Sequence, residues 1–225
     1  MKITTLISHA DELIKIIFKS SQPADKITSE YLRSKKYIGS KERKFISELI
    51  FHSLRNYYLI TDIYSNCENK IANEYQINNN LKKIFPLIIG IILYKEINEV
   101  NQNFLLDNNI PYTKVFINEL DFLEYVFNEF DMKASAIEIF NSIKEKFEQI
   151  NCLNHFDDNL LSRRFSINLT FLNSLNKYLD PNSKIDLLKS LCKPAPLTIR
   201  INDILIDYEN VKKYFNDNSI EISKT

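Results

Sequence analysis

The stretch that decides the fold is Ser40-Lys-Glu-Arg-Lys-Phe-Ile-Ser-Glu-Leu-Ile-Phe-His-Ser-Leu-Arg55. Successive residues of a helix are rotated by about 100°, and on this wheel the apolar and charged residues separate. The apolar side carries Phe45, Ile46, Leu49, Ile50, Leu54 and Tyr57. The polar side carries Lys41, Lys44, Glu48, His52 and Arg55. The pattern predicts one amphipathic helix from Lys41 to about Tyr64, with Ser40 as its N-cap.

Helical spacing continues on both sides of this stretch. Apolar residues recur every three or four positions from Ala10 to Phe18, and a short helix is predicted from Ile27 to Leu32. Further helices are predicted over residues 81–95, 116–130 and 134–147, and the first of these is expected to be buried. The predicted class is therefore mainly all-α, with a helical bundle over residues 1–150 and linker helices over 151–193.

The chain changes character at Pro194-Ala-Pro196, because two prolines interrupt the helical pattern. Alternation of apolar and polar residues predicts a strand from Leu197 to Asn202, and a second short strand is predicted at Ile220–Ile222. Asp207 can cap a short helix between them. Residues 194–225 are thus predicted to be the start of a small α/β (strand-helix-strand) subdomain, since so few elements cannot cover a sheet.

Composition excludes several classes of site. Gly39 and Gly90 are the only glycines among 225 residues. Phosphate-cradling loops need several glycines close together, so a Rossmann site, a P-loop and a kinase loop are not expected within this sequence. The apolar run from Leu87 to Tyr94 is too short to span a bilayer, and no membrane contact is expected.

Cysteine and histidine positions give no sign of a metal site or a catalytic group. Cys67, Cys152 and Cys192 form no Cys-x-x-Cys pair, which excludes a zinc knuckle and a disulfide framework and suits a reduced, cytoplasmic location. The three histidines have no spacing typical of metal ligands or of a catalytic triad; they are His9, His52 and His155.

Charge is segregated although 29 Lys and Arg balance 29 Asp and Glu. Residues 26–55 hold eight basic and three acidic residues, a net charge of +5, whereas residues 99–148 hold four and ten, a net charge of −6. Arg43 falls at the edge of the apolar side, where we expect it to pair with a carboxylate or cap backbone carbonyls. The candidates for binding phosphate are Arg33, Lys35, Lys36, Lys41, Lys44 and Arg55. The alternative is an ordinary solvated helix face, which Glu48 in its middle favours.

Three motifs carry a resemblance to a known family. Residues 40–55 resemble the D-R-x-F-x-x-E-L-x-x-x-x-L-R signature of the NusB-like domains that head the RsmB/Sun family of RNA cytosine-5 methyltransferases, with Glu42 in place of the usual Asp. Residues 86–94 resemble a helix of that family, with Gly90 and Tyr94 as the best matches. Residues 194–202 resemble the family's "PaPltlRvN" strand.

The resemblance implies a ribosomal RNA methyltransferase that uses S-adenosylmethionine and attacks cytosine C6 with a cysteine thiolate. The family's catalytic cysteines and Gly-rich cofactor loop follow the R-x-N strand, and none of those motifs occurs in these residues. No catalytic residue and no cofactor are therefore assigned to this chain, and whether it acts as an enzyme stays open. The expected partners are RNA, in particular ribosomal RNA, and a catalytic methyltransferase domain in cis or in trans.

The family's region after the linker contacts RNA, which adds Arg200 and Asn202 as candidates on the polar face of their strand. Packing of Arg200 against the missing domain is the alternative for that residue. The alternative function for the whole chain is a stand-alone NusB-like adaptor that binds RNA or protein partners in transcription or ribosome assembly.

Overall fold

The computed structural model describes residues 1–74, 78–98, 116, 118–152, 157–192, 200–201, 204–218 and 222. These residues form twelve α-helices and no strand, which confirms the mainly helical class. The helices are α1 (Ile3–Lys19), α2 (Ala24–Ser34), α3 (Ser40–Arg55), α4 (Tyr57–Glu74), α5 (Asn79–Ile92), α6 (Tyr94–Asn98), α7 (Glu119–Glu129), α8 (Ala136–Cys152), α9 (Asp158–Phe165), α10 (Leu169–Leu175), α11 (Pro181–Cys192) and α12 (Tyr208–Asp217).

The prediction of one long helix from Lys41 to Tyr64 is wrong, because the first helix ends before Asn56 and a second begins after it. The backbone N–H and the side-chain amide of Asn56 both donate to the His52 carbonyl, at 3.2 and 2.9 Å. Asn56 has φ −116° and ψ 25°, outside the helical region, and α4 begins at the next residue. The predicted cap is also one residue late: Gly39 precedes α3, and the Glu42 carboxylate accepts from the Gly39 N–H at 2.8 Å.

The main core lies between α1, α3, α4, α5, α7 and α8. Helix α5 is buried along most of its length, as predicted, because its second half is apolar on every side. Gly90 is the point of closest approach: a Cβ there would lie 3.1 Å from Ile60 Cδ1 and 3.5 Å from Ser53 Oγ. A methyl group there would require Ile60 to shift by a few tenths of an ångström where α5 passes α3 and α4.

A second, smaller core joins α9, α10 and α11 around Leu161, Phe165, Leu172 and Leu188. This core contains an ion pair with a buried lysine. The Lys184 ammonium donates to the Asp158 carboxylate at 2.5 Å and to the Asn176 side-chain oxygen at 2.7 Å. This group of helices lies against α4, where the Ser166 hydroxyl accepts from the Tyr58 N–H at 2.9 Å.

The chain divides into two compact units, Met1–Lys193 and Pro194–Thr225. In the second unit the described residues include α12, and the Asp207 side chain caps it by accepting from the Asn210 N–H at 2.8 Å, as predicted. Most of the two predicted strands lies outside the described residues, namely 197–199, 202 and 220–221. The strand-helix-strand arrangement therefore stays a prediction, as does the division at residue 150.

None of the described helices is both long enough and apolar enough to pass through a bilayer.

Candidate nucleic-acid interface

Five of the predicted cations lie on one continuous stretch from the end of α2 into α3. We call Arg33, Lys35, Lys36, Lys41 and Lys44 the basic surface. All are exposed except Lys35, which is half-buried and lies with its ammonium 5.3 Å from the centre of the Tyr31 ring. Arg33 lies in the last turn of α2, Lys35 and Lys36 in the loop that follows it, and Lys41 and Lys44 on α3.

Arg43 holds this loop in place. Its Nε donates to the Ile38 carbonyl at 2.8 Å and its terminal amino group to the Lys35 carbonyl at 3.5 Å. The predicted capping of backbone carbonyls is confirmed, and Arg43 does not belong to the basic surface. Ile38 is also fully buried, so the loop is anchored both by a side chain in the core and by the guanidinium.

The charges of the basic surface are mostly uncompensated. Lys44 lies 3.6 Å from the Glu48 carboxylate, both exposed, which is a weak pair on a helix surface. Within the described part of the chain, no carboxylate forms an ion pair with Arg33, Lys36 or Lys41. Lys41 lies in the first turn of α3, where the helix dipole opposes a positive charge. Stabilisation of the helix therefore does not explain why a lysine occupies position 41.

Arg55 was predicted on the same surface, but its side chain is half-buried, unlike the exposed lysines of α3. Burial lowers its pKa, while the nearby Cys192 of α11 and Tyr94 of α6 raise it. A contact between Arg55 and RNA stays a prediction. The helical wheel grouped Arg55 with the lysines because a wheel holds no information about residues of other helices.

His52 was also assigned to the polar side, and the structure places it in the core with 4 % of its surface exposed. The Gly90 carbonyl lies 3.2 Å from His52 Nε2, so that nitrogen must carry the proton. Nδ1 then accepts from the side-chain amides of Asn98 and Asn56, at 3.4 and 3.5 Å. Burial lowers the pKa of His52 to about 4, against a smaller opposite effect of the Gly90 bond, and the ring is neutral at pH 7.

Next to the basic surface lies an aromatic cluster that the sequence reasoning missed. It consists of His9 and Glu12 on α1, Tyr31 on α2 and Tyr37 in the following loop. Two bonds hold its centre: His9 Nδ1 lies 2.8 Å from the Tyr31 hydroxyl, which donates to Glu12 at 2.5 Å. The Tyr37 hydroxyl lies 3.3 Å from His9 Nε2. The four residues come from three elements, so no spacing in the sequence points to them.

The two remaining predicted contacts belong to the second unit. Arg200 is exposed, and Asn202 lies outside the described residues. The position of Arg200 on a strand stays a prediction, because its neighbours on both sides are largely outside the description.

Among the described residues, no group of three or more His, Cys, Asp or Glu side chains could hold a metal ion. Cys67 is buried, and burial raises the pKa of the half-buried Cys192, whose thiol donates to the Phe165 carbonyl at 3.5 Å. A protonated thiol is not a nucleophile. His155 and the side chain of Cys152 lie outside the described residues.

Known proteins give no guide to the function. No protein-family model, no curated protein and no solved structure matches the chain.

Proposed function

We propose that this chain binds RNA through the basic surface and is the N-terminal RNA-binding portion of a ribosomal RNA cytosine-5 methyltransferase. The observation that carries the proposal is a set of exposed cations, Arg33, Lys36 and Lys41, that have no carboxylate partner among the described residues. They lie at the end of α2, in the anchored loop and at the start of α3. Lys and Arg that neutralise phosphates supply most of the affinity of such interfaces.

Two further observations support nucleic acid as the partner. The acidic residues are concentrated elsewhere, between residues 99 and 148, so the neutral total charge leaves one region positive. Lys41 is placed against the dipole of α3, a local cost that binding of an anion would offset. The basic surface is thus suited to a polyanion.

The methyltransferase part of the proposal rests on the motifs at residues 40–55, 86–94 and 194–202. Under this proposal the chain positions ribosomal RNA, and a separate catalytic domain, in cis or in trans, supplies S-adenosylmethionine and the nucleophilic cysteine. Calorimetry with S-adenosylmethionine and the purified chain should give no binding. Micromolar binding would contradict the assignment of the cofactor to another domain.

RNA binding is tested by fluorescence anisotropy with a short labelled single-stranded RNA over a series of salt concentrations. The double variant Lys41→Glu/Lys44→Glu should lower the affinity by about ten-fold or more and reduce the salt slope by about 1.4, since each phosphate contact contributes about 0.7. The matched control is Lys133→Glu/Lys189→Glu, which makes the same charge change at exposed lysines outside the basic surface. Equal losses in both variants would show a general charge effect and refute the assignment.

The second candidate, an adaptor that binds a protein partner, is favoured by a groove of about 620 Å³ between α1, α4 and α5. Its lining is mostly apolar and includes the exposed rings of Phe18 and Tyr57, whose centres are 4.8 Å apart. Lys83 at its edge is exposed and forms no ion pair within the described residues. Such a groove suits an amphipathic helix that carries acidic residues.

Removal of residues 194–225 separates the two candidates. The methyltransferase proposal expects a weaker RNA affinity, because Arg200 and Asn202 are lost with this segment. The adaptor candidate expects the RNA affinity to stay unchanged.

A further inference from the structure

We propose that the basic surface accepts single-stranded rather than duplex RNA, and that Tyr37 is the platform on which one unpaired base stacks. This inference rests on the proposed RNA-binding function and names the class of RNA. The evidence for it is the exposure of the Tyr37 ring and the contacts that hold this ring in place.

Tyr37 is exposed over 62 % of its surface although it lies in an anchored loop. It follows Lys36 directly and precedes the buried Ile38, whose carbonyl Arg43 holds. The ring is therefore exposed to solvent in the same loop that carries Lys35 and Lys36. An aromatic ring beside phosphate-binding cations is the combination that binds single strands, because every base has a face that can stack.

The ring is held in position by hydrogen bonds whose directions can be deduced. The Glu12 carboxylate only accepts, so the Tyr31 hydroxyl donates to it and its oxygen accepts from His9 Nδ1–H. His9 Nε2 is then the acceptor nitrogen of a neutral imidazole, and the Tyr37 hydroxyl donates a hydrogen bond to it. Burial lowers the pKa of His9, which supports this neutral form. The ring centres of His9 and Tyr37 are 5.9 Å apart, so the histidine also supports one side of the tyrosine.

This arrangement favours a single strand for a geometric reason. The bases of an A-form duplex are stacked on each other, and its deep major groove does not admit side chains. An exposed ring in a loop cannot reach a base face there, whereas an unpaired base can lie on it while its phosphates contact Lys36 and Lys41. A ring that is already fixed loses little conformational freedom on binding.

The test compares single-stranded RNA with a duplex of the same sequence, using the full chain and anisotropy. Tyr37→Ala should weaken single-strand binding by about five- to a hundred-fold and leave the salt slope unchanged, since a stacking contact and no phosphate contact is lost. Tyr37→Phe, which keeps the ring and loses the bond to His9, should fall between the wild type and Tyr37→Ala. Tyr178→Ala is the control, because Tyr178 is 81 % exposed and lies outside the basic surface.

A direct readout is available because the chain contains no tryptophan. Tyr37→Trp should bind single-stranded RNA, and its emission should be quenched with the same midpoint as the anisotropy change. Unchanged emission at saturation would refute stacking at this position.

The outcomes distinguish this inference from the proposed function. If Lys41→Glu/Lys44→Glu weakens binding and Tyr37→Ala does not, RNA binding stands and the stacking inference fails. A wild-type preference for the duplex, or equal losses in Tyr37→Phe and Tyr37→Ala, would also overturn the inference. Absence of binding to either RNA would refute the proposed function itself.

Discussion

Lowering the pH should destabilise the fold through His52, whose ring is buried and neutral. Its pKa is about 4 in the fold and about 6.5 in an unfolded chain. Between these values the unfolded chain binds a proton that the folded chain does not, so the free energy of unfolding falls as the pH falls through this window. The difference of about 2.5 pKa units corresponds to about 3 kcal/mol in total, of which about 2 kcal/mol is lost by pH 5.

The measurement is urea denaturation followed by circular dichroism at about pH 7.5, 6 and 5. The same series is recorded for His52→Gln, whose side-chain amide can donate to the Gly90 carbonyl and does not titrate. Carboxylates such as Glu42 and Asp158, whose pKa values are lowered in the fold, also affect acid stability, but they do so equally in both proteins.

The difference in stability between wild type and His52→Gln should therefore shrink by about 2 kcal/mol between pH 7.5 and pH 5. Parallel pH profiles would refute the reasoning, because they would mean that the imidazole is already charged, or open to solvent, in the folded protein.

Three further substitutions test other parts of the structure. Gly90→Ala places a methyl group 3.1 Å from Ile60 Cδ1, and the cost of shifting Ile60 should offset the about 1 kcal/mol that alanine gains over glycine within a helix, so thermal denaturation should show no stabilisation. Gly39→Ala, with an ordinary φ of −68° and a nearest contact of 3.4 Å, needs no such shift and should change stability by less than about 1 kcal/mol. Arg43→Met should lower the free energy of unfolding by about 1–2 kcal/mol in urea denaturation. It should also weaken RNA binding, because the loop is released. The control Lys26→Met removes an exposed cation from α2 and should have neither effect. Lys184→Met should cost about 3 kcal/mol by leaving the Asp158 carboxylate without its cation, with hydrogen exchange rising first in α9–α11; uniform exchange across all helices would contradict a separate small core.

The helical pattern of α3 could be predicted because its apolar residues recur with the helical period. The same pattern failed at His52, since a wheel assumes one buried side and α3 packs against α1, α4 and α5. The end of the helix at Asn56 had a weak signal in the sequence, because an asparagine side chain that bonds to a carbonyl one turn back competes with the backbone hydrogen bonds of the helix. The half-burial of Arg55 had no signal in the sequence, because Cys192, which acts on its pKa, lies more than a hundred residues later.

In the candidate site too, contacts between residues close in sequence could be predicted and contacts between distant residues could not. The position of Arg43 on the wheel predicted a structural role, with a carboxylate or backbone carbonyls as partners, and the carbonyls observed lie within the preceding eight residues. The aromatic cluster could not, since His9 and Tyr37 are 28 residues apart and meet only when α1 packs beside the loop. A helical wheel compares residues of one helix, and the support of Tyr37 comes from another.

The anchoring of the loop by Arg43 and Ile38 has a consequence for the thermodynamics of association. A segment that is ordered before it meets its ligand need not fold during binding, so the heat-capacity change should reflect only the small area buried at the surface. Encounter would then be governed by diffusion and long-range attraction, and the association rate constant should fall steeply with added salt while the dissociation rate constant changes little. Release of the loop would reverse this balance by placing a conformational step before every productive encounter.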